Sequence, residues 1–505
     1  VAVVGAGIAG LTAAALLRQA GATVIVLEAD SVGTGVTGHT TAKVTSLHAL
    51  AYQRLAKSHG LNAAQSYGQA NEAGLARIAE FVDSEGIECD FRRRDAYTYT
   101  ESRSELDSIE AEASMAMRLG LPASFSDSSP LPYPIAGAVC FANQAEFHPT
   151  KYLQGLAELV AADKSFVFEK TPVLDIKQGN PCTLHTEGGE VSAKQVVIAT
   201  HYPLLDPLGL YSLRLHPERS YALAVRVPDR TPEGMFLDAG PPTRSVRSYK
   251  SGHEELLIVG GESHRPGENT GVQDHYRVLE HFGRERFGLQ SVTYKWSTQD
   301  TMPLDGLPYV GKLSPFSNRL FVATGFNKWG LTNGTAAGMM VADAIAGRDN
   351  PWAEVFSPNR LSLRASAQPF ASEAAWRIKR YTKDRGLPAL QRLTSRFAPK
   401  ASYSTVGRDL NPGQGRIDEL GGEKVAVSKD ANGVVCVVSP VCTHLGCTVE
   451  YNDDEKTWDC PCHGSRFLTD GTVLQGPAKT PLASVMRGGK PTPAAGNGEA
   501  TGEAR

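Results

Sequence analysis

At 505 residues the chain is too long for one ordinary core, and two to four domains are expected. Hydrophobic residues at 41% and charged residues at 21% describe a soluble globular chain. A net charge of −3 supplies no electrostatic reason to expect nucleic acid or an anionic membrane surface as partner.

The chain opens on a strand-like run, Val1–Val4, followed by the turn Gly5-Ala-Gly-Ile-Ala-Gly10 and a helix over Leu11–Gln19. A second strand over Thr23–Leu27 ends on Glu28, completing a β-α-β unit. From about 60 to 120 apolar residues recur at three- and four-residue spacing, which predicts helix. Between about 165 and 320 short β-like runs dominate, among them Val191–Ala199, Tyr221–Val227, Leu256–Val259 and Arg319–Thr324. A small-residue helix is predicted over Gly334–Ile345. Residues 351–400 read as a connector with one basic helix, Ser372–Lys383, and a fresh β-rich segment runs from about Ala401 to Met486. The end of the chain lacks large apolar residues and is expected to be disordered over 488–505. The expected domains are therefore 1–350, a helical connector 351–400, a β domain 401–487 and the tail. No stretch predicts a membrane span, no signal peptide is recognisable, and a cytoplasmic location is expected.

Three glycines in six positions are a weak signal alone, but Gly5, Gly7 and Gly10 sit between a strand and a helix. There Gly5 permits a tight turn, Gly7 lets the backbone approach a pyrophosphate and Gly10 allows close helix–strand packing. Glu28 stands where a carboxylate can accept from a ribose 2′-OH. Two later segments select FAD over NAD: Val196–Thr200, and Leu320–Gly325 followed by Asn327, Lys328, Trp329 and Gly330. With Asp305-Gly306-Leu307-Pro308-Tyr309-Val310-Gly311, these motifs resemble the D-amino-acid oxidase superfamily of FAD enzymes, which includes glycine and sarcosine oxidases. The resemblance covers roughly residues 1–350. It implies an α/β, Rossmann-like FAD-binding domain with an inserted α+β substrate domain, and a small-molecule substrate lying over the flavin. FAD contacts are then expected from Gly5, Gly7, Ile8, Ala9, Gly10 and Glu28, from His39, Thr40 and Thr41, from Thr200, and from Gly325, Gly330, Leu331 and Thr332.

The resemblance also places Lys43 beside the flavin, where a cation stabilises the anionic reduced ring; a solvated loop lysine is the alternative. His39 and His48 are the histidines that could carry a covalent flavin, or be ordinary loop residues. Where sarcosine oxidases read Gly-x-x-Gly-His-Gly-x-Lys, this chain reads Gly325-Phe-Asn-Lys-Trp-Gly-Leu-Thr332. Trp329 replaces the histidine, Thr332 replaces the lysine, and Lys328 is the available substitute. Arg247 and Tyr249, on one strand face, and Glu262 and His264 are further pocket candidates. The catalytic candidates are Lys43, Lys328, Trp329 and Tyr249.

Cysteine usage is uneven: Cys89, Cys140 and Cys182 are scattered, whereas five cysteines fall between Cys436 and Cys462. Cys442-Thr-His444-Leu-Gly-Cys447 and Cys460-Pro-Cys462-His463-Gly-Ser465 form paired loops suited to a Rieske [2Fe–2S] centre. Zinc would accept two cysteines and two histidines too, but that spacing leaves two extra cysteines unexplained. The loops resemble those of disulfide-containing Rieske proteins of respiratory and photosynthetic cytochrome complexes, which implies an all-β domain. That resemblance implies Cys442 and Cys460 on one iron, His444 and His463 on the other, and a disulfide between Cys447 and Cys462. It implies a covering loop over Gly476–Leu482, a sulfur-directed hydroxyl from Ser465, and Phe467 in place of a tyrosine donor. Cys436 reads as a buried thiol. Asp274, His275 and His281 fit a mononuclear iron site poorly and read as a surface helix.

A flavin takes two electrons and a Rieske cluster carries one. The leading expectation is an oxidoreductase that oxidises an amine-type C–N substrate with FAD and relays single electrons through the cluster to an external protein. The alternatives are reverse flow feeding a flavin monooxygenase, and an O₂-using oxidase with the Rieske unit as accessory.

Overall fold

The computed structural model describes residues 1–267, 274–360, 370–377, 379, 406–487 and 490–491. Contacts divide the chain into two units, Val1–His264 with Asp274–Ala374, and Arg265–Gln273 with Ala375–Arg505.

The first unit is built on a six-stranded sheet in the order Tyr309–Lys312, Leu320–Thr324, Val196–Ile198, Ala2–Val4, Ile25–Leu27 and Phe166–Phe168. The central pairs are parallel, with Val3 opposite both Val197 and Val26. The central strands Ala2–Val4 and Val196–Ile198 are wholly apolar and buried because both sheet faces are covered there. Helices Ile8–Gln19 and Gly330–Ala346 cross on one of them at glycine contacts. A Cβ on Gly338 would lie 2.8 Å from Thr12 Cβ, and one on Gly334 2.6 Å from Ile8 Cγ2, so only glycine admits this approach.

The second sheet of this unit runs Ser291–Pro303, Leu215–Arg226, Glu254–His264, Arg244–Ser251, Met235–Asp238, Arg92–Thr100, Gly137–Glu146 and Lys43–Val44, with Ala123–Ser126 added on Gly137–Glu146. Alternation sorts its faces. Tyr221, Leu223, Val246, Leu257 and Val259 pack together with Tyr276 and Leu279 of helix His275–Phe287. Ala224, Leu256 and Ile258 lie on the opposite face with Tyr249 and Trp296.

Three expectations need correction. Strand Arg92–Thr100 interrupts the helical reading of 60–120, because its Ala96, Thr98 and Thr100 alternate inward and pair with Gly137–Glu146. Helix Gly330–Ala346 starts four residues before the predicted Gly334, its first turn having Leu331 as its one large apolar residue, too little to extend the pattern. His275 is buried, whereas His281 on the same helix is exposed as a surface helix requires.

The motif Asp305–Gly311 is a structural knot. Arg360 donates to both Asp305 oxygens at 2.8 Å each, to Pro308 O at 2.7 Å and to Leu307 O at 2.6 Å. Its guanidinium also lies over the Tyr309 ring at 4.1 Å. The packing of this unit thus includes residues beyond 350, with Phe356 fully buried.

The second unit contains two antiparallel sheets, one of Gly415–Leu420, Glu423–Lys429, Val435–Val438, Ser484–Arg487 and Lys490–Pro491. The other consists of Glu450–Asn452, Thr457–Asp459, Arg466–Phe467 and Val473–Gln475. Cys436 is buried in the first sheet as a core thiol. Of the expected helix Ser372–Lys383, residues 372–377 and 379 are helical and the rest lie outside the described residues. Of the tail 488–505, only Lys490–Pro491 is described, as a strand; the remainder lies outside the described residues.

Candidate functional site

Strand Ala2–Val4 delivers the chain into Gly5–Gly7, and helix Ile8–Gln19 follows at once. Gly5 has φ +101°, and a Cβ there would lie 2.6 Å from Ala199 O, so the turn touches the backbone just before Thr200. Gly7 precedes the helix with no acid in the first turn, and Ile8 N donates to Thr37 Oγ1 at 3.3 Å. The partial positive charge of that terminus suits a phosphate. The Glu28 carboxylate accepts from Ala6 N at 2.7 Å and Asp30 N at 3.0 Å, and its further lone pairs suit ribose hydroxyls. This cradle fits the pyrophosphate and ribose of FAD. Its tightest point is Gly10, where a Cβ would sit 2.0 Å from Gly5 O. Gly10→Ala is expected to cut retained flavin to about a tenth or less, read from flavin absorbance per chain after purification, because the turn cannot keep its shape.

The segment after Gly38 is stitched to the large sheet. His39 O accepts from Trp296 Nε1 at 2.9 Å, and Thr41 O accepts from Arg247 Nε. Thr40 Oγ1 accepts Ala42 N at 3.1 Å, and Lys43 Nζ donates to Thr41 Oγ1 at 3.3 Å and to Ser245 Oγ. Lys43 lies on a strand opposite Glu146, so the solvated-loop alternative fails. Burial first, and Arg247 second, push its ammonium down to about 7, with Glu146 acting in the opposite sense. Arg247 itself is buried and pairs with Glu146 at 3.4 Å. Strand alternation puts Ser245, Arg247 and Tyr249 on one face, opposite Gly260, Ile258 and Leu256. Arg247 and Tyr249 were legible from that alternation, and Ser245 could have been; Glu146 and Trp296 gave no sequence signal.

Beyond Gly325 the chain turns through Asn327 and Lys328, both at positive φ, into helix Gly330–Ala346. Trp329 stacks on His48 at 4.6 Å and 16°. His48 is a buried residue: Nδ1 meets Tyr67 OH at 2.6 Å, Nε2 meets Thr45 O at 2.8 Å, and burial pushes its pKa down to about 3. The Thr332 hydroxyl donates to Thr45 O at 3.0 Å. Lys328 Nζ is committed to Glu218 Oε1 at 2.7 Å and Ser263 Oγ at 2.6 Å. Burial raises nearby Asp300 to about 6, an effect Lys328 reduces and Glu218 reinforces. Held in this way, Lys328 is poorly placed to replace the missing lysine. Glu262 binds Arg244 at 2.8 Å and His275 at 3.1 Å, and His264 stacks on His275, so both are packing residues here.

The cysteine loops share one geometry. Cys442 N donates to Cys447 O at 2.8 Å and Gly446 N to Cys442 O at 2.9 Å. Cys460 N donates to Ser465 O at 2.7 Å and Gly464 N to Cys460 O at 2.9 Å. In both loops the fifth residue is a glycine at positive φ, +77° and +81°, which closes the turn. Cys447 and Cys462 form the disulfide between the loops. Sulfurs of Cys447, Cys460 and Cys462 lie within 4.8 Å of one another, but the disulfide leaves only Cys460 of these with a thiol to ionise. The second free thiol is Cys442. Its hydrogen bond with Cys460 is the main cause that pulls Cys442 down to about 7, and the same contact and burial push Cys460 up. One thiolate forms readily and a cation must stabilise the second. The His444 and His463 rings approach at 4.9 Å, and both Nδ1 atoms are buried and make no hydrogen bond. Two thiols and two inward imidazole nitrogens fit a two-iron cluster. Ser465 hydrogen-bonds Cys442 and accepts Ala478 N at 2.9 Å, and Thr443 Oγ1 donates to Thr480 O at 2.6 Å, pinning the covering loop to both ligand loops.

A glycine cradle for a dinucleotide and a cysteine–histidine pair of loops define an oxidoreductase with a flavin and an iron–sulfur centre. Residues 1–344 match the FAD dependent oxidoreductase (DAO) family and residues 405–486 match the Rieske [2Fe-2S] domain; the chain belongs to the DAO family, with a Rieske domain at its C-terminal end, and its cofactors are FAD and a [2Fe–2S] cluster. It is 34% identical over 486 residues to the Rieske 2Fe-2S iron-sulfur protein YhfW of Bacillus subtilis (strain 168), covering 96% of this chain and 93% of YhfW. It is 24% identical over 373 residues to gamma-glutamylputrescine oxidoreductase of Escherichia coli (strain K12), covering 69% of this chain and 83% of that enzyme. Among solved structures, glycine oxidase from Geobacillus kaustophilus shares the fold with a TM-score of 0.58 at 20% identity, over 71% of this chain and 98% of that one. Among the described residues no helix is long and apolar enough to cross a membrane.

Proposed function

We propose that the flavin unit oxidises a C–N bond of a small amine and that the electrons leave singly through the Rieske cluster to an external acceptor protein. The observation that carries this reading is the joining of a two-electron and a one-electron centre in one chain. A bound FAD would supply the two-electron acceptor for oxidation at the carbon beside nitrogen. The name of one relative, gamma-glutamylputrescine oxidoreductase, supports amine chemistry.

This chain's residues divide the work as follows. Gly5, Gly7, Gly10 and Glu28 hold the cofactor. Trp296 and Arg247 fix the segment His39–Lys43 against the sheet. Lys43 presents a titratable cation on the sheet face that also carries Arg247 and Tyr249. Lys328, neutralised by Glu218, gives no fixed charge to a substrate carboxylate, which favours an amine over a simple amino acid. Cys442 and Cys460 would bind one iron, and His444 and His463 the other.

With burial lowering it to about 7, Lys43 would carry its proton at lower pH and would there offset negative charge on a bound flavin. Anaerobic flavin reduction by an amine is therefore expected to slow as pH rises through about 7. Lys43→Met should be slower by about tenfold at low pH and show no such ionisation, as rapid-mixing absorbance would report. A panel of amines, amino acids and hydroxy acids mixed anaerobically with the enzyme tests the substrate class. Bleaching by hydroxy acids alone would refute C–N oxidation.

A further inference from the structure

The sequence gives no role to Arg377, which lies in the helical stretch 370–377 ahead of the β domain. Within the second unit its Nη1 sits 3.2 Å from Nε2 of His463, and that histidine is only 7% exposed. The neighbouring Trp376 ring lies under the Arg265 guanidinium at 4.0 Å. Two residues further on, Gly267 packs on the ligand loop itself: a Cβ there would lie 3.0 Å from Pro461 Cβ and 3.1 Å from Glu450 Cγ. Arg265 and Gly267 therefore brace the Trp376–Arg377 pair against the loop that carries His463.

A guanidinium cannot lose its proton in a protein, so this contact sets a permanent positive charge against a cluster ligand. Reduction adds one electron and lowers the net charge of the cluster by one, with no bond made or broken. A positive charge held nearby in a water-poor setting stabilises that added charge more than it does the oxidised state. We propose that Arg377 is a positioning residue that acts through His463 to raise the reduction potential of the Rieske cluster. The inference does not depend on which substrate feeds the flavin or on the direction of electron flow.

Redox titration of the full-length holoenzyme, followed by the EPR signal of the reduced cluster at one fixed pH, tests it. In R377Q the reduction equilibrium should become about tenfold less favourable, a fall in midpoint potential of about 59 mV for a one-electron couple. R377K keeps the charge but not the planar fork, and should stay within about twofold of the native equilibrium. A shift of the same size in both variants would show that shape and not charge matters, and would overturn the proposal. So would unchanged potentials in both, or loss of the cluster signal in R377Q alone, which would make Arg377 a residue that merely holds the loop.

Discussion

His463→Ala is expected to abolish the Rieske EPR signal and the visible absorption of the cluster while leaving flavin content unchanged. The ring is buried, and its Nδ1 makes no hydrogen bond among the described residues, which fits a nitrogen kept for a metal. Removing it would leave the proposed cluster one ligand short. The backbone bonds that close the loop, Cys460 N to Ser465 O and Gly464 N to Cys460 O, do not involve the side chain and should survive. The disulfide between Cys447 and Cys462 should survive as well. Iron analysis should show the loss directly, and a variant that keeps both irons and an unaltered EPR spectrum would overturn the ligand assignment. His444→Ala is expected to give the same outcome from the other loop.

Arg360→Ala should strongly destabilise the flavin unit, costing about 3–5 kcal/mol. Its partner Asp305 is buried, and the same guanidinium satisfies the carbonyls of Leu307, Pro308 and Phe356. Truncation leaves a buried carboxylate without its cation and several carbonyls without their donor. Arg360→Lys should rescue only part of the loss, since a lysine cannot reproduce the two parallel bonds. Burial alone would raise the Asp305 carboxyl, and Arg360 more than reverses this, holding it below its ordinary value. The pair's contribution is therefore complete above the unfolded value of about 4 and is lost as pH falls through the lower folded one. Denaturant midpoints of the flavin unit, compared at neutral and acid pH, would show this; equal midpoints for native and Arg360→Ala protein would contradict it.

Local chemistry was the most legible part of the sequence. Both cysteine–histidine loops could be read because closing each loop requires a glycine at a fixed offset and each ligand type is chemically distinctive. The opening turn could be read because Gly5 and Gly10 have no room for a side chain. Less was legible where function depends on distant strands meeting. Ser245 and Glu146 approach Lys43 from strands about 200 and 100 residues away, and nothing local to Lys43 announces them. His48 is a loop histidine in the sequence and a buried, stacked one in the fold, because Tyr67 comes from helix Leu61–Ser84 and Trp329 from the start of helix Gly330–Ala346. In the sequence the Asp305 motif is a family signature only; its physical role as the anchor for Arg360 emerges when residue 360 folds back onto it.

In the proposed relay, electrons pass from flavin to cluster within the same molecule. Full-length enzyme should be mixed anaerobically with an amine that bleaches its flavin, then frozen at intervals for EPR. The relay predicts that the reduced-cluster signal grows after the flavin absorbance falls, reaching nearly one spin per chain at excess substrate and independent of protein concentration. A flavin that bleaches completely while the cluster stays oxidised, in a sample whose cluster dithionite still reduces, would contradict it.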